Sequence, residues 1–321
     1  MPAANPSDPP TPAPPGRARK SNLLPKLQVF LTKTSKRGLP AFFILWLLGE
    51  FFRDANLLTG WLFFIPSPVV AVAMLLASVI FAIRRSSKWA LLLVLLAIPP
   101  FAFVFFIENH FSRPETPKYH GETLRIAHWN VLWGMMPTED IMGKLRSLDA
   151  DILVISEPPD ELARMDGLHT FHRGPLMVLS KFPLVHENTF KDVPCPAHLV
   201  TCQTPSGNIR LLIADLPSNL LKPRNPVLSK LTTLLSEHHA HLLLGDLNSP
   251  RRSRALDHLP PGYQHAYDTA GSGFSYTWPW IPVYAIDQCI HSDEILPVSY
   301  SLESSHLSDH RIQVFEFGLS E

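Results

Sequence analysis

The sequence predicts an α/β domain of two packed β-sheets flanked by helices, preceded by three transmembrane helices. Three observations predict it. Long apolar stretches without a polar face fill the first third of the chain. Short β-type runs, turn signals and interspersed helical patterns fill the rest. Polar residues recur where those strands should end.

Charge separates the two regions. The whole chain balances 28 Lys+Arg against 28 Asp+Glu over 321 residues. From Glu115 onward there are 16 basic against 24 acidic residues, so the C-terminal part carries a formal −8 and the N-terminal part +8. An acidic domain supplies little of the phosphate neutralisation on which nucleic-acid binding depends, although Arg251, Arg252 and Arg254 form one local patch. The three cysteines are too few for a disulfide scaffold; Cys195 and Cys202 flank a short segment that an oxidising compartment would allow to bridge, and Cys289 reads as a buried thiol. No His/Cys spacing suggests zinc.

Residues 1–38 read as a disordered tail, rich in proline up to Pro15 and basic after it. Residues 39–107 read as the membrane region, with spans at Leu39–Phe52, Leu57–Ile83 and Trp89–Ile107. The first is short of the roughly 20 residues a helical span needs, and spans only if Glu50 and Arg53 pair at the interface. Pro66 and Pro68 start or kink the second. Arg84, Arg85 and Lys88 between the second and third hold that tip in the cytoplasm, which sends the C-terminal domain to the outer side of a cell inner membrane and leaves the basic N-terminus inside. Residues 108–122 read as a linker.

The domain proper, residues 123–318, opens with a strand over Thr123–Trp129 that ends in Asn130. Thr138 caps a helix running to Leu148. Asp151–Ser156 is a buried strand ending in Glu157, followed by two prolines. Strands follow at Leu176–Ser180, Leu184–Phe190, Leu199–Thr204 and Ile209–Asp215, the last two joined by the turn PSGN. Pro226–His239 has a helical pattern. The stretch HLLLGDLNSP from His241 makes a buried strand in which Gly245 permits a sharp exit, leaving Asp246 and Asn248 at its end. A helix starts near Arg251, and strands are expected at Phe274–Thr277, Ala285–His291, Val298–Leu302 and Arg311–Phe317.

The strand-end polar residues are therefore Asn130, Glu157, Asp215, Asp246, Asn248, Asp287, Asp309 and His310. Oxygen donors such as Asn130 and Glu157 suit a hard divalent ion, Mg²⁺ or Mn²⁺, that would neutralise phosphate oxygens. Asp246 and Asn248 would orient an attacking water. His310, held by Asp287, would donate to a phosphoryl oxygen. Each has a plainer reading: Asn130 caps a turn, Glu157 is solvated, Asp287 pairs with an arginine. Arg224 in KPRN fits a phosphate clamp but more readily a solvated loop. His128, His306 and the histidines at 238, 239 and 241 fit surface or core positions better than ligands. Tyr276 and Trp278 fit a pocket wall or the core.

Five motifs occur in an order and rough spacing that resembles the endonuclease/exonuclease/phosphatase superfamily, the deoxyribonuclease I-like fold. They are WN (Trp129, Asn130), SEP (Ser156 to Pro158), GDLN (Gly245 to Asn248), ID (Ile286, Asp287) and SDHR (Ser308 to Arg311). The resemblance implies a four-layer α/β sandwich of two mixed sheets and a Mg²⁺-dependent phosphoester hydrolase. It implies Glu157 as metal ligand, Asn130 as ligand or positioning amide and Asp309 as a second metal-side carboxylate. It further implies Asp246 and Asn248 at the water, and Asp287 with His310 as a carboxylate–imidazole pair.

The sequence departs from the family pattern where Asp215 replaces a histidine proton donor and where Leu132 replaces an Asp of the metal shell. An Asp serves as that donor only when burial or neighbouring carboxylates raise its pKa. Both departures weigh against cleavage of double-stranded DNA. The expected substrate is a small phosphoester or lipid head group rather than nucleic acid, with no protein partner inferable. A nuclease of the same fold and a non-catalytic binding module are the alternatives.

Overall fold

The computed structural model describes residues 23–112, 114–115, 119–280 and 283–320, which fall into two units divided after Ala41. The proline-rich part of the expected tail lies outside the described residues. Residues 23–38, expected to be disordered, instead begin the helix α1 (Leu23–Phe52). Pro25 falls in its first turn, where a missing N–H breaks no helical hydrogen bond.

Helices α2 (Leu57–Phe63) and α3 (Ser67–Ile83) follow, bent by 58° from one another at the break before Ser67. Pro66 explains the break: it has no N–H to donate and stands at the start of α3. Helix α4 (Ser87–Phe103) continues through a π-turn to Glu108. Among the described residues, Ser87–Glu108 is the one helix long and apolar enough to cross a membrane, or one of two if α2 and α3 together make a broken span.

The expectation of three spans is thus corrected, and the reason lies at the end of α1. Glu50 does not pair with Arg53. Glu50 binds Arg252 at 2.7 Å, Arg53 binds Asp257 at 2.5 Å, and Asp54 accepts the Arg254 backbone N–H at 2.7 Å. The end of this helix is docked on the acidic domain by its charges.

That domain is an α/β sandwich of two mixed sheets packed face to face, with helices on their outer faces. The first sheet orders its strands β11 (Ile295–Glu303), β12 (Ile312–Leu319), β1 (Leu124–Asn130), β2 (Ile152–Ser156), β4 (Leu176–Ser180), β3 (His169–Arg173). The second orders β5 (Leu184–Thr189), β6 (Ala197–Thr204), β7 (Gly207–Ala214), β8 (Leu242–Asp246), β10 (Asp287–Ser292), β9 (Tyr263–His265). Each sheet holds one parallel pair, β1 with β2 and β7 with β8. Each pair is joined across a helix, α5 (Thr138–Ser147) or α6 (Asn225–Glu237), the connection that parallel neighbours require.

Alternation along the strands sorts the core. Ile126, Val154, Val178, Leu211, Leu244 and Phe315 meet between the sheets. Ala127, Leu153 and Leu179 face Ile141 and Leu145 of α5, while Leu212 and Leu243 face Leu228 and Leu231 of α6.

Local expectations are corrected at several points. Thr138 is the first helical residue, after Pro137, and makes no capping bond. Residues 274–277 form no strand, and the helix expected at Arg251 begins as α7 (Arg254–Asp257). A short helix α8 (Ala266–Ala270) was not expected. All three cysteines are free. Gly245 sits within β8 rather than at a sharp exit: a Cβ there would stand 1.7 Å from the Ala214 carbonyl oxygen, so only glycine lets β8 approach β7 this closely.

Candidate active site

Ligand sites in parallel sheets lie beyond the carboxyl ends of the strands, and here two such ends meet. Asn130 is the last residue of β1, Glu157 follows β2, Asp215 follows β7, and Asp246 is the last residue of β8. The antiparallel neighbours begin where these end: Asp287, first residue of β10, is in register with Asp246, and His310 lies just ahead of β12. The result is a cleft of about 470 Å³ lined by Asn130, Glu157, Asp215, Asp246, Asn248, Asp309 and His310. Asp287 sits one step deeper, behind His310. All eight residues singled out from the sequence are thus brought together.

Asp246 is fixed at both oxygens. Its Oδ1 accepts the Asn248 backbone N–H at 2.9 Å and its Oδ2 accepts the Asn130 amide at 3.0 Å. Asn248 takes φ 46°, a conformation asparagine tolerates, and donates its own amide to the Leu216 carbonyl at 2.7 Å. Asn130 in turn accepts the Leu132 N–H at 3.0 Å. Glu157 adopts φ 53° as the chain leaves β2, a strained turn held by its N–H to the Pro175 carbonyl.

His310 Nδ1 lies 2.8 Å from Asp287 Oδ2, and its Nε2 lies 3.8 Å from both Asp246 Oδ2 and Asp309 Oδ1. Burial alone would lower the His310 pKa, but Asp287, Asp246 and Asp309 outweigh it and lift it to about 10. The imidazole is therefore cationic at neutral pH. Burial would raise the Asp287 carboxyl, yet the adjacent imidazolium holds it below the usual carboxylate range. Ser308 orders this corner, accepting the His310 N–H at 3.0 Å and donating to the Asn130 carbonyl at 2.7 Å.

The other carboxyls move upward. Burial, then Asp246, Glu157 and Asp287, push Asp215 up to about 8, and burial raises Glu157. Burial and the Asp287 charge raise Asp246 as well. Asp215 meets the condition under which an Asp takes the place of a histidine donor: it holds its proton at neutral pH.

Several oxygens lack partners, among them Asp215 Oδ2 and Asp309 Oδ1, the other oxygen of Asp309 accepting the Trp278 indole N–H at 2.9 Å. Unpartnered oxygens in a buried acidic cluster fit a hard divalent cation. Donor atoms of Asp246, Asp287 and His310 also lie within 4.8 Å of one another. With His310 protonated and bonded to Asp287, that group reads better as a hydrogen-bonded relay than as a ligand set.

Sequence reasoning passed over part of the cleft. Phe64 and Tyr284 line it, and so does Arg224, which is buried although KPRN fitted a solvated loop more readily than a phosphate clamp; Trp278, read as a pocket wall or core residue, lines it too. Conversely, two of the three arginines that offered a basic patch are taken up elsewhere. Arg251 binds the Glu108 carbonyl and Asp268, and Arg252 binds Glu50 and stacks 4.4 Å over Phe103.

The family model described as Endonuclease/Exonuclease/phosphatase family matches residues 127–310, more than half of the chain. A search of curated proteins finds no match. Among solved structures, TDP2 from C. elegans superposes with a TM-score of 0.50 at 16% identity, covering 78% of this chain and 93% of that one. A humanized D. rerio TDP2 carrying 14 mutations gives a TM-score of 0.50 at 16% identity, covering 61% of this chain and 99% of that one. At such identities these two likenesses speak to the fold.

Proposed function

The chain belongs to the endonuclease/exonuclease/phosphatase family, and from that membership we propose that it is a divalent-metal-dependent phosphoester hydrolase anchored in a membrane by its apolar helices. One observation carries the reading: Glu157 from the first sheet, Asp246 from the second and the Asp287-held His310 line or back a single cleft.

In this reading Asp246, oriented by Asn130 and Asn248, positions a water and receives its proton as the water oxygen bonds to phosphorus. The ester P–O bond breaks, and Asp215 gives its proton to the departing alcohol oxygen. His310 donates from Nε2 to a phosphoryl oxygen as charge builds there. A Mg²⁺ or Mn²⁺ ion held by Glu157, Asn130 and Asp309 would supply charge neutralisation for the phosphate. The engagement of Arg251 and Arg252 with the N-terminal helices supports a small or lipid-borne phosphoester over nucleic acid.

The location follows from charge. The hairpin of α3 and α4 carries Arg84, Arg85 and Lys88 at its tip, which supports a cytoplasmic tip and an extracytoplasmic catalytic domain on a cell inner membrane. Fusing alkaline phosphatase to the C-terminus of the full chain should give an active enzyme in cells; an inactive fusion would reverse the topology.

The activity is tested with the full chain in detergent, using bis(p-nitrophenyl) phosphate. Hydrolysis should require Mg²⁺ or Mn²⁺ and stop on chelation. Equal rates with and without chelator would end the metal-dependent reading.

A further inference from the structure

The catalytic cleft and the membrane-facing helices share a wall. Ser67, the first residue of α3, donates its hydroxyl to Glu108 at 2.7 Å, so the domain-side ends of the α3–α4 hairpin meet there. Just ahead of Ser67 lies the break holding Phe64, and Phe64 lines the cleft. Two bonds pin this wall to the domain: the Tyr284 hydroxyl donates to the Phe64 carbonyl at 2.7 Å, and the Trp61 indole donates to the Leu220 carbonyl at 2.7 Å. The Phe64 and Tyr284 rings stand 5.6 Å apart.

Apolar side chains continue outward from this rim. Leu220 lines the cleft, and the next residue, Leu221, is 69% exposed. Leu132 also lines the cleft and is followed by Trp133 and Met135, exposed by 60% and 80%. Large apolar side chains left in water around a concave polar site mark a surface that meets apolar matter. Trp61 and Trp133 have the amphipathic rings that favour the membrane–water interface.

Arg224 stands at the same wall. Its guanidinium lies 5.3 Å from the Phe64 ring, and its Nε and Nη1 are buried with no hydrogen-bond partner. Among the described residues lining the cleft, it is the one Lys or Arg side chain. A buried guanidinium with unfilled donors is costly until an anion meets it, and phosphate matches its fork at two atoms.

Resting on the hydrolase reading above, we propose that the cleft takes an amphiphilic phosphoester presented from the bilayer surface, with Arg224 on its phosphate and Phe64 against the first carbons of its apolar chain. Hydrolysis adds one water across a P–O bond of such a diester, releasing an alcohol and a phosphomonoester. With the hairpin ends joined at Ser67 and Glu108, the phosphate would reach the acidic residues while the chain stays in the bilayer.

The test uses the full chain in detergent micelles with Mg²⁺ and two chromogenic diesters, p-nitrophenyl ethyl phosphate and p-nitrophenyl dodecyl phosphate. The dodecyl ester should be preferred in kcat/KM by about tenfold or more. Phe64→Ser should bring that ratio toward one and Phe64→Leu should keep it; micellar partitioning is common to all three proteins and cancels. Arg224→Gln should raise KM for both esters by about tenfold or more, with partial recovery in Arg224→Lys. If neither ester is hydrolysed, the hydrolase reading fails and this inference with it. If both are hydrolysed and Phe64→Ser leaves the ratio unchanged, hydrolysis stands and the amphiphile assignment is overturned. An unchanged KM in Arg224→Gln removes Arg224 from the phosphate.

Discussion

The Asn130 amide donates to Asp246 Oδ2 at 3.0 Å, joining the last residue of a strand in one sheet to the last residue of a strand in the other. Both residues are buried, so the bond is made away from water, where losing either partner leaves the other unsatisfied. Asn130→Ala should therefore lower kcat by about 100-fold and cost about 1 to 3 kcal/mol of stability while the fold is kept, because Asp246 keeps its Asn248 N–H but loses its orientation. Steady-state kinetics and circular dichroism check this; a wild-type kcat would show that the bond is structural only.

Asp287 holds His310 protonated, and the sign of its pH effect follows. His310 folds with a pKa raised to about 10, above its ordinary 6.5. The stabilisation it brings is fully present below pH 6.5 and is lost as pH rises through about 10. Activity that needs the imidazolium should fall along the same alkaline limb. Asp287→Asn should move that limb to lower pH, read from kcat/KM against pH; an unmoved limb would assign the alkaline loss to another group.

His265 gives an acid-side prediction away from the site. It is buried, its Nε2 faces the Leu256 carbonyl at 2.9 Å, and burial lowers its pKa to about 4. The neutral ring favours folding above pH 6.5, and that advantage is lost as pH falls toward 4, on the order of 3 kcal/mol in all. The melting temperature should drop across this window and drop less in His265→Gln.

Gly245→Ala should destabilise the domain by on the order of 3 to 5 kcal/mol, since its Cβ would meet the Ala214 carbonyl oxygen at 1.7 Å. Thermal unfolding checks this; an unchanged melting temperature would mean that β7 and β8 separate without cost.

The strands that carry the site were legible because each is a short apolar run ended by a polar residue, as in ILVIS before Glu157 and LLLGD. Strand β3, with the sequence HTFHR, escaped notice because it lies at a sheet edge, where water accepts its polar side chains. Hydropathy overcounted the spans because it registers composition and not the bend at Pro66, nor the ion pairs that dock Glu50 and Arg53. Phe64 was illegible, and Arg224 was legible as a phosphate clamp only as the lesser of two readings, for a related reason: each acquires its role only where segments far apart in sequence pack together. KPRN looks like a solvated loop until the α2–α3 break covers it.

The most direct measurement is kcat/KM for a soluble phosphodiester in Mg²⁺, compared among the full chain, Glu157→Gln, Asp246→Asn and His310→Gln. Each variant should lose at least about 100-fold while keeping its circular dichroism. Wild-type rates in the variants would contradict the convergence of these side chains on one reacting phosphate.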